Sequence, residues 1–156
     1  MTVESGASTT LIFVKKPLMH EELSNSIIAA FFETYNELGY GFSEHICVNA
    51  MEKELARRGH VVARELAVPV WVKNEVVGNQ RLDMVVDDKI ILEAKSTLVL
   101  PKSADQQITS YLNGTEFEVA FLLHFGQEAK FYRRVLFNEY KKHIRPLSVS
   151  NPSNPR

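Results

Sequence analysis

A single cysteine, Cys47, in a chain of 156 residues rules out an internal disulfide framework and a cysteine-based zinc site, and it fits a reducing compartment. Long apolar runs are missing too. Stretches such as Val119 to Leu123 fall far short of the ~20 residues that a membrane-spanning helix requires. Neither sign of charge dominates: 18 Lys plus Arg stand against 19 Asp plus Glu, a net charge of -1. That balance excludes a protein that grips nucleic acid by bulk charge, so any site for a polyanion must be local. The five histidines, His20, His45, His60, His124 and His143, show no H-E-x-x-H or other metal spacing. Residues Met1 to Thr10 are polar and acidic, without the basic start and apolar core of a signal peptide, so the expected location is cytoplasmic.

The composition, 45% hydrophobic and 24% charged, is that of one globular domain. At this length roughly 70% of the unfolded surface can be buried, enough for a core without metal or disulfide staples. A flexible segment is expected at 1–19, the folded domain at 20–145, and a disordered tail at 146–156, where Pro, Ser and Asn leave little to bury. Leu23, Ile27, Ile28, Ala30, Phe31 and Tyr35 recur at helical steps and predict a helix that stops at Gly39. Ser43 can cap a second helix with an apolar stripe of Ile46, Cys47, Ala50, Met51 and Leu55, ending at Gly59. Glu44 then lies in its first turn, where it could simply complement the helix dipole. Strands are expected at Val61–Val72, Val76–Val86 and Lys89–Leu98. Ser103 and Gln106 match a capping box opening a helix to Gly114, and strands follow at Val119–Phe125 and Lys130–Phe137. The element order predicts an α/β sheet with helices on its faces.

The segment Arg81 to Lys95 is the most informative. A three-residue turn at Asp87-Asp88-Lys89 sets Val86 opposite Ile90 and gathers Leu82, Met84, Val86, Ile90, Leu92 and Ala94 on one wholly apolar face. The other face carries Asp83, Val85, Ile91, Glu93 and Lys95, with Asp83 opposite Glu93 at a Cβ separation of about 5 Å. A two-residue turn would put the carboxylates on opposite faces. Two facing carboxylates repel unless a proton or cation lies between them, and a hard divalent ion suits oxygen ligands. Mg²⁺ or Mn²⁺ on Asp83 and Glu93, with Lys95 beside them, is a constellation for hydrolysing phosphodiester bonds. The plainer reading is an exposed Glu93–Lys95 ion pair worth about 0–1 kcal/mol.

Of the two glutamines on the predicted third helix, Gln106 fits the capping box and Gln107 lies on another face of the helix. Lys130, Arg133 and Arg134, with Lys141, Lys142 and Arg145 further on and Phe131 and Tyr132 interleaved, make a candidate seat for a phosphate backbone. A solvated charged face is the competing reading.

From about Leu23 to Phe137 the chain resembles the GxxExxY family, a branch of the PD-(D/E)XK nuclease superfamily. The resemblance rests on Glu37-Leu-Gly-Tyr-Gly-Phe-Ser-Glu44, Val76-Val-Gly-Asn-Gln-Arg-Leu-Asp83, Ile90-Ile-Leu-Glu-Ala-Lys95 and Gln107-Ile-Thr-Ser-Tyr-Leu112. It implies a restriction-endonuclease-like core, a central mixed β-sheet flanked by helices. It further implies metal ligation by Asp83, Glu93 and Glu44, a catalytic Lys95, and support from Gln107. Mg²⁺ or Mn²⁺ is the implied cofactor and nucleic acid the partner, DNA ranked ahead of RNA, with a homodimer compatible and no membrane. One position departs: the family's naming tyrosine is Cys47 here, on the apolar stripe of the second helix. The alternative function is a catalytically inactive module of the same fold that binds nucleic acid or a protein.

Overall fold

The helical steps from Leu23 to Tyr35 close into α1 (Glu21–Leu38) in a computed structural model that describes residues 19–144. The helix stops at Gly39, where φ is 77° and the N–H returns to Tyr35 O at 2.7 Å, a backbone turn that a side chain would disfavour. Ser43 caps α2 (Glu44–Arg57) as expected, its Oγ accepting from Ile46 N–H. There follow β1 (Val62–Val72), β2 (Glu75–Val86), β3 (Ile90–Lys95), α3 (Lys102–Asn113), β4 (Val119–Phe125), β5 (Ala129–Val135) and a single 3₁₀ turn at Asn138–Tyr140. The flexible segment expected at 1–19, apart from Met19, and the tail expected at 146–156 lie outside the described residues.

The five strands form one mixed sheet in the order β1-β2-β3-β4-β5, antiparallel throughout except for β3 and β4, which run parallel with α3 as their crossover. Helices α1 and α2 cover one face, burying Ile27, Phe31, Met51 and Leu55 against Met84, Ile90, Leu92 and Phe121. Helix α3 covers the other, with Ile108, Tyr111 and Leu112 against Val85, Ile91 and Ala120. β4 is buried along its whole length because both faces are covered. Among the described residues no helix is long and apolar enough to cross a membrane.

The β2–β3 hairpin has the expected register, Val86 against Ile90, through a turn in which Asp87 and Asp88 take left-handed φ values of 51° and 56°. The turn is tied down. Asp87 Oδ1 accepts from Val61 N–H at 2.8 Å, Asp87 Oδ2 lies 2.7 Å from His60 Nδ1, and His60 Nε2 lies 2.7 Å from Ser26 Oγ on α1.

Three details differ from the sequence reading. Leu82 does not share the face of Met84 and Val86 but packs under α3 with Leu66. The cause is a kink: Glu65, at φ 52°, falls between the Arg64–Met84 and Leu66–Leu82 pairs, and both strands change facing parity across it. β3 ends at Lys95 rather than Leu98, since Ser96 to Leu100 leave the sheet for the crossover. The capping box at Ser103 does not form, because extended Pro101 (φ -67°, ψ 144°) starts α3 and its carbonyl accepts from Ala104 N–H.

Candidate metal centre

β2 and β3 pair over only three positions, ending at Met84 and Leu92. Beyond them β2 stays with β1 as far as Glu75, while β3 stays with β4 through Lys95. The sheet therefore divides before the expected cross-strand pair of Asp83 with Glu93 can form, because β2 follows β1 and β3 follows β4, and the two carboxylates stand where the arms part. Glu44, the first residue of α2, reaches the same place from the helical layer. One carboxylate oxygen from each of Glu44, Asp83 and Glu93 lies within 4.8 Å of the others. A cleft of about 430 Å³ opens beside them, lined by Glu44, His45, Val48, Arg64, Glu65, Arg81 and Asp83.

Glu93 is the innermost of the three, 2% exposed. Its Oε2 lies 3.2 Å from Lys95 Nζ, while its Oε1 is buried without a hydrogen-bond partner. A buried, unsatisfied acceptor is costly. Burial pushes the Glu93 carboxyl well above the ordinary range, the Asp83 charge adds to this, and Lys95 opposes it. Burial also raises Glu44, with Lys95 opposing and Asp83 adding. Repulsion among three carboxylates, one of them with a bare oxygen, is the condition that a divalent cation relieves. Oxygen donors suit Mg²⁺ or Mn²⁺, whose ligands at about 2.1 Å stand up to ~4 Å apart, close to the span seen here. The residues present thus fit such an ion.

Lys95 joins the cluster as expected. Gln107 lies on α3 and donates from Nε2 to Tyr111 Oη at 2.9 Å. Tyr111 was not singled out by the sequence reading. Its phenol is pushed up to about 12 by burial first and then by the charges of Glu93 and Asp83. Its spacing of four from Gln107 on a helix was the signal available.

The basic residues are not brought together. Arg133 and Arg134 point to opposite faces of β5: Arg133 donates to Met19 O at 3.0 Å, and Arg134 pairs with Asp105 on α3 at 2.8 Å. Lys130 lies 4.0 Å from Glu128 at the surface. Lys141 Nζ donates to Thr115 O and Phe117 O, and burial pushes its pKa down to about 8 against the pull of Glu118 and Glu116. Arg145 lies outside the described residues. The cations that share the cleft with Glu44 and Asp83 are instead Arg64, bound to Glu52 and Asn49, and Arg81, bound to Glu65. Cys47 is buried on the apolar side of α2, where it packs in the core under α1.

No curated protein and no solved structure matches the chain. The family model described as PD-(D/E)XK nuclease superfamily matches residues 21–135, a span that runs from the start of α1 to the end of β5 and takes in Glu44, Asp83, Glu93, Lys95 and Gln107. With the mixed five-stranded sheet and its flanking helices, that match means the chain belongs to the PD-(D/E)XK nuclease superfamily.

Proposed function

We propose that the protein is a divalent-metal-dependent nuclease that hydrolyses phosphodiester bonds of DNA or RNA, and that it lies in the GxxExxY branch of its superfamily. The observation that carries this reading is the convergence of Glu44, Asp83 and Glu93 within 4.8 Å, with Lys95 at 3.2 Å from Glu93. A cluster without function has no physical reason to hold like charges together around a buried, unpartnered oxygen. In this reading Asp83, Glu93 and Glu44 hold Mg²⁺ or Mn²⁺, which supplies charge stabilisation to the phosphoryl group and eases deprotonation of water. Lys95 presents its ammonium to the scissile phosphate, where negative charge grows in the transition state. Gln107, braced by Tyr111, orients the water or a phosphate oxygen. Arg81 and Arg64 line the approach, Lys130 at the surface adds attraction at longer range, Arg134 is held by Asp105, and Arg133 braces the start of α1.

The test is incubation of the protein with Mg²⁺ or Mn²⁺ and a mixture of single-stranded and duplex DNA and RNA. Cleavage that depends on the cation and is lost in Glu93→Gln supports the reading. Cation-dependent binding without cleavage of any substrate would favour the inactive binding module.

A further inference from the structure

We propose that the two loops flanking the carboxylates form a stacking rim for unpaired nucleobases, so that the site takes a single nucleic-acid strand rather than an intact duplex. This rests on the nuclease reading above and names its substrate class.

The α1–α2 loop leads directly into Glu44 and exposes Tyr40 (43%) and Phe42 (45%), with Ile46 exposed on the first turn of α2. The loop that leaves Lys95 exposes Leu98 and Val99. Leaving such side chains partly in water forgoes a share of the ~1.5–3 kcal/mol that full burial of each would give. Neither loop is loosely built. Gly39 and Gly41 take positive φ values of 77° and 112°, and the Ser43 cap fixes the entry to α2. In the loop after Lys95, Thr97 Oγ donates to Val99 O at 2.8 Å, and buried His124 holds Thr97 O through Nε2 at 2.7 Å.

Phe42 lies two residues before Glu44 and Leu98 three after Lys95, so in this proposal a phosphodiester at the carboxylates has its bases over these loops. Bases in a duplex are hidden in their stack, and only unstacked bases offer a π-face to a side chain. Stacking on an aromatic ring is worth about 1–3 kcal/mol per base and tolerates any sequence. Charge points the same way. With a net charge of -1, and with Arg133, Arg134 and Lys141 engaged within the protein, phosphate attraction is weak, so affinity for a strand must draw on its bases.

The test is fluorescence anisotropy of the full chain with a short labelled oligothymidylate, an oligouridylate, a blunt DNA duplex and an abasic strand of equal length, with Ca²⁺ as the cation. Wild-type protein should bind the single strands more tightly than the duplex, and the ratio of the two arms tells DNA from RNA. The double substitution Tyr40→Ala and Phe42→Ala should weaken single-strand binding by on the order of 10-fold or more, leaving duplex binding and Mn²⁺ affinity unchanged. The abasic strand should bind wild type as weakly as the variant binds the normal strand, and Tyr40→Phe should retain affinity because the ring suffices. Leu98→Ser with Val99→Ser, on the other loop, should weaken single-strand binding independently of how the first variant folds. Unchanged single-strand affinity in both variants, tighter wild-type binding to duplex, or an effect seen only in self-association would overturn the proposal. Failure of the nuclease reading looks different: Mn²⁺ does not bind, or Glu93→Gln still cleaves.

Discussion

Lys95 Nζ stands 3.2 Å from one oxygen of Glu93, while the other oxygen of that carboxylate is buried with no partner. The ammonium thus holds one side of the ligand cluster and is placed to turn to a phosphate when a cation takes the carboxylate. Lys95→Ala should lower cleavage by on the order of 10²-fold or more, because the charge it meets is largest in the transition state. Binding of Mn²⁺ should persist. Single-turnover cleavage beside calorimetry checks both, and equal cleavage by variant and wild type would remove Lys95 from the chemistry.

Burial and the Asp83 charge, opposed by Lys95, push the Glu93 carboxyl up to about 8, against an ordinary value of 4.5. A carboxyl whose proton affinity rises on folding supports the folded state while protonated. The metal-free protein should therefore lose stability as pH rises from about 4.5 through about 8. Glu93→Gln stays neutral, so it should flatten this slope and exceed wild type at high pH by on the order of 1 kcal/mol or more. Asp83→Asn should likewise leave stability unchanged or raise it. Thermal melts in chelator across pH measure the effect, and parallel wild-type and Glu93→Gln profiles would contradict it.

Asp87 anchors the hairpin that sets the carboxylate register, accepting from Val61 N–H and pairing with His60. Burial works against its charge, but the hydrogen bonds from Val61 and His60 win and hold its carboxyl below the usual range. Its contribution is present above the unfolded value and fades in acid. Asp87→Ala loses both bonds and places alanine at a left-handed φ of 51°, so it should destabilise by about 1–3 kcal/mol. Urea unfolding at neutral pH gives the number; a neutral substitution would show that the turn does not need the tie.

Arg81 lines the cleft at the carboxylates, whereas Arg134, on β5, is bound to Asp105 of α3. Arg81→Gln should reduce nucleic-acid affinity and lower the slope of log affinity against log salt by about 1. Arg134→Gln should change both less. The reverse ranking would move the phosphate track to β5.

Much of this site was legible in the sequence because a β-hairpin has a strict period of two. The run Met84 to Ala94 admits one register with a clean apolar face, Val86 against Ile90, and that register leaves Asp83 and Glu93 at the same end of the hairpin, one step beyond its last pair. Leu82 escaped the rule because the kink at Glu65 reverses facing in both strands, and no pattern in β1 announces a left-handed glutamate there. Ser103 misled because a proline two residues earlier fixes an extended backbone that begins a helix without a side-chain cap. The basic residues of β5 illustrate a more general limit. Adjacent residues of a strand face opposite ways, so Arg133 and Arg134 could not share a surface, and only the folded chain shows that Met19 and Asp105 engage them.

The most direct measurement is calorimetric titration of the full chain with Mn²⁺, run in parallel on wild type, Asp83→Asn and Glu93→Gln. Three carboxylates within 4.8 Å predict one ion bound by wild type, with binding lost in both variants while their folded spectra are preserved. Mn²⁺ binding that survives both substitutions, or no binding by wild type, would contradict a metal centre at Glu44, Asp83 and Glu93.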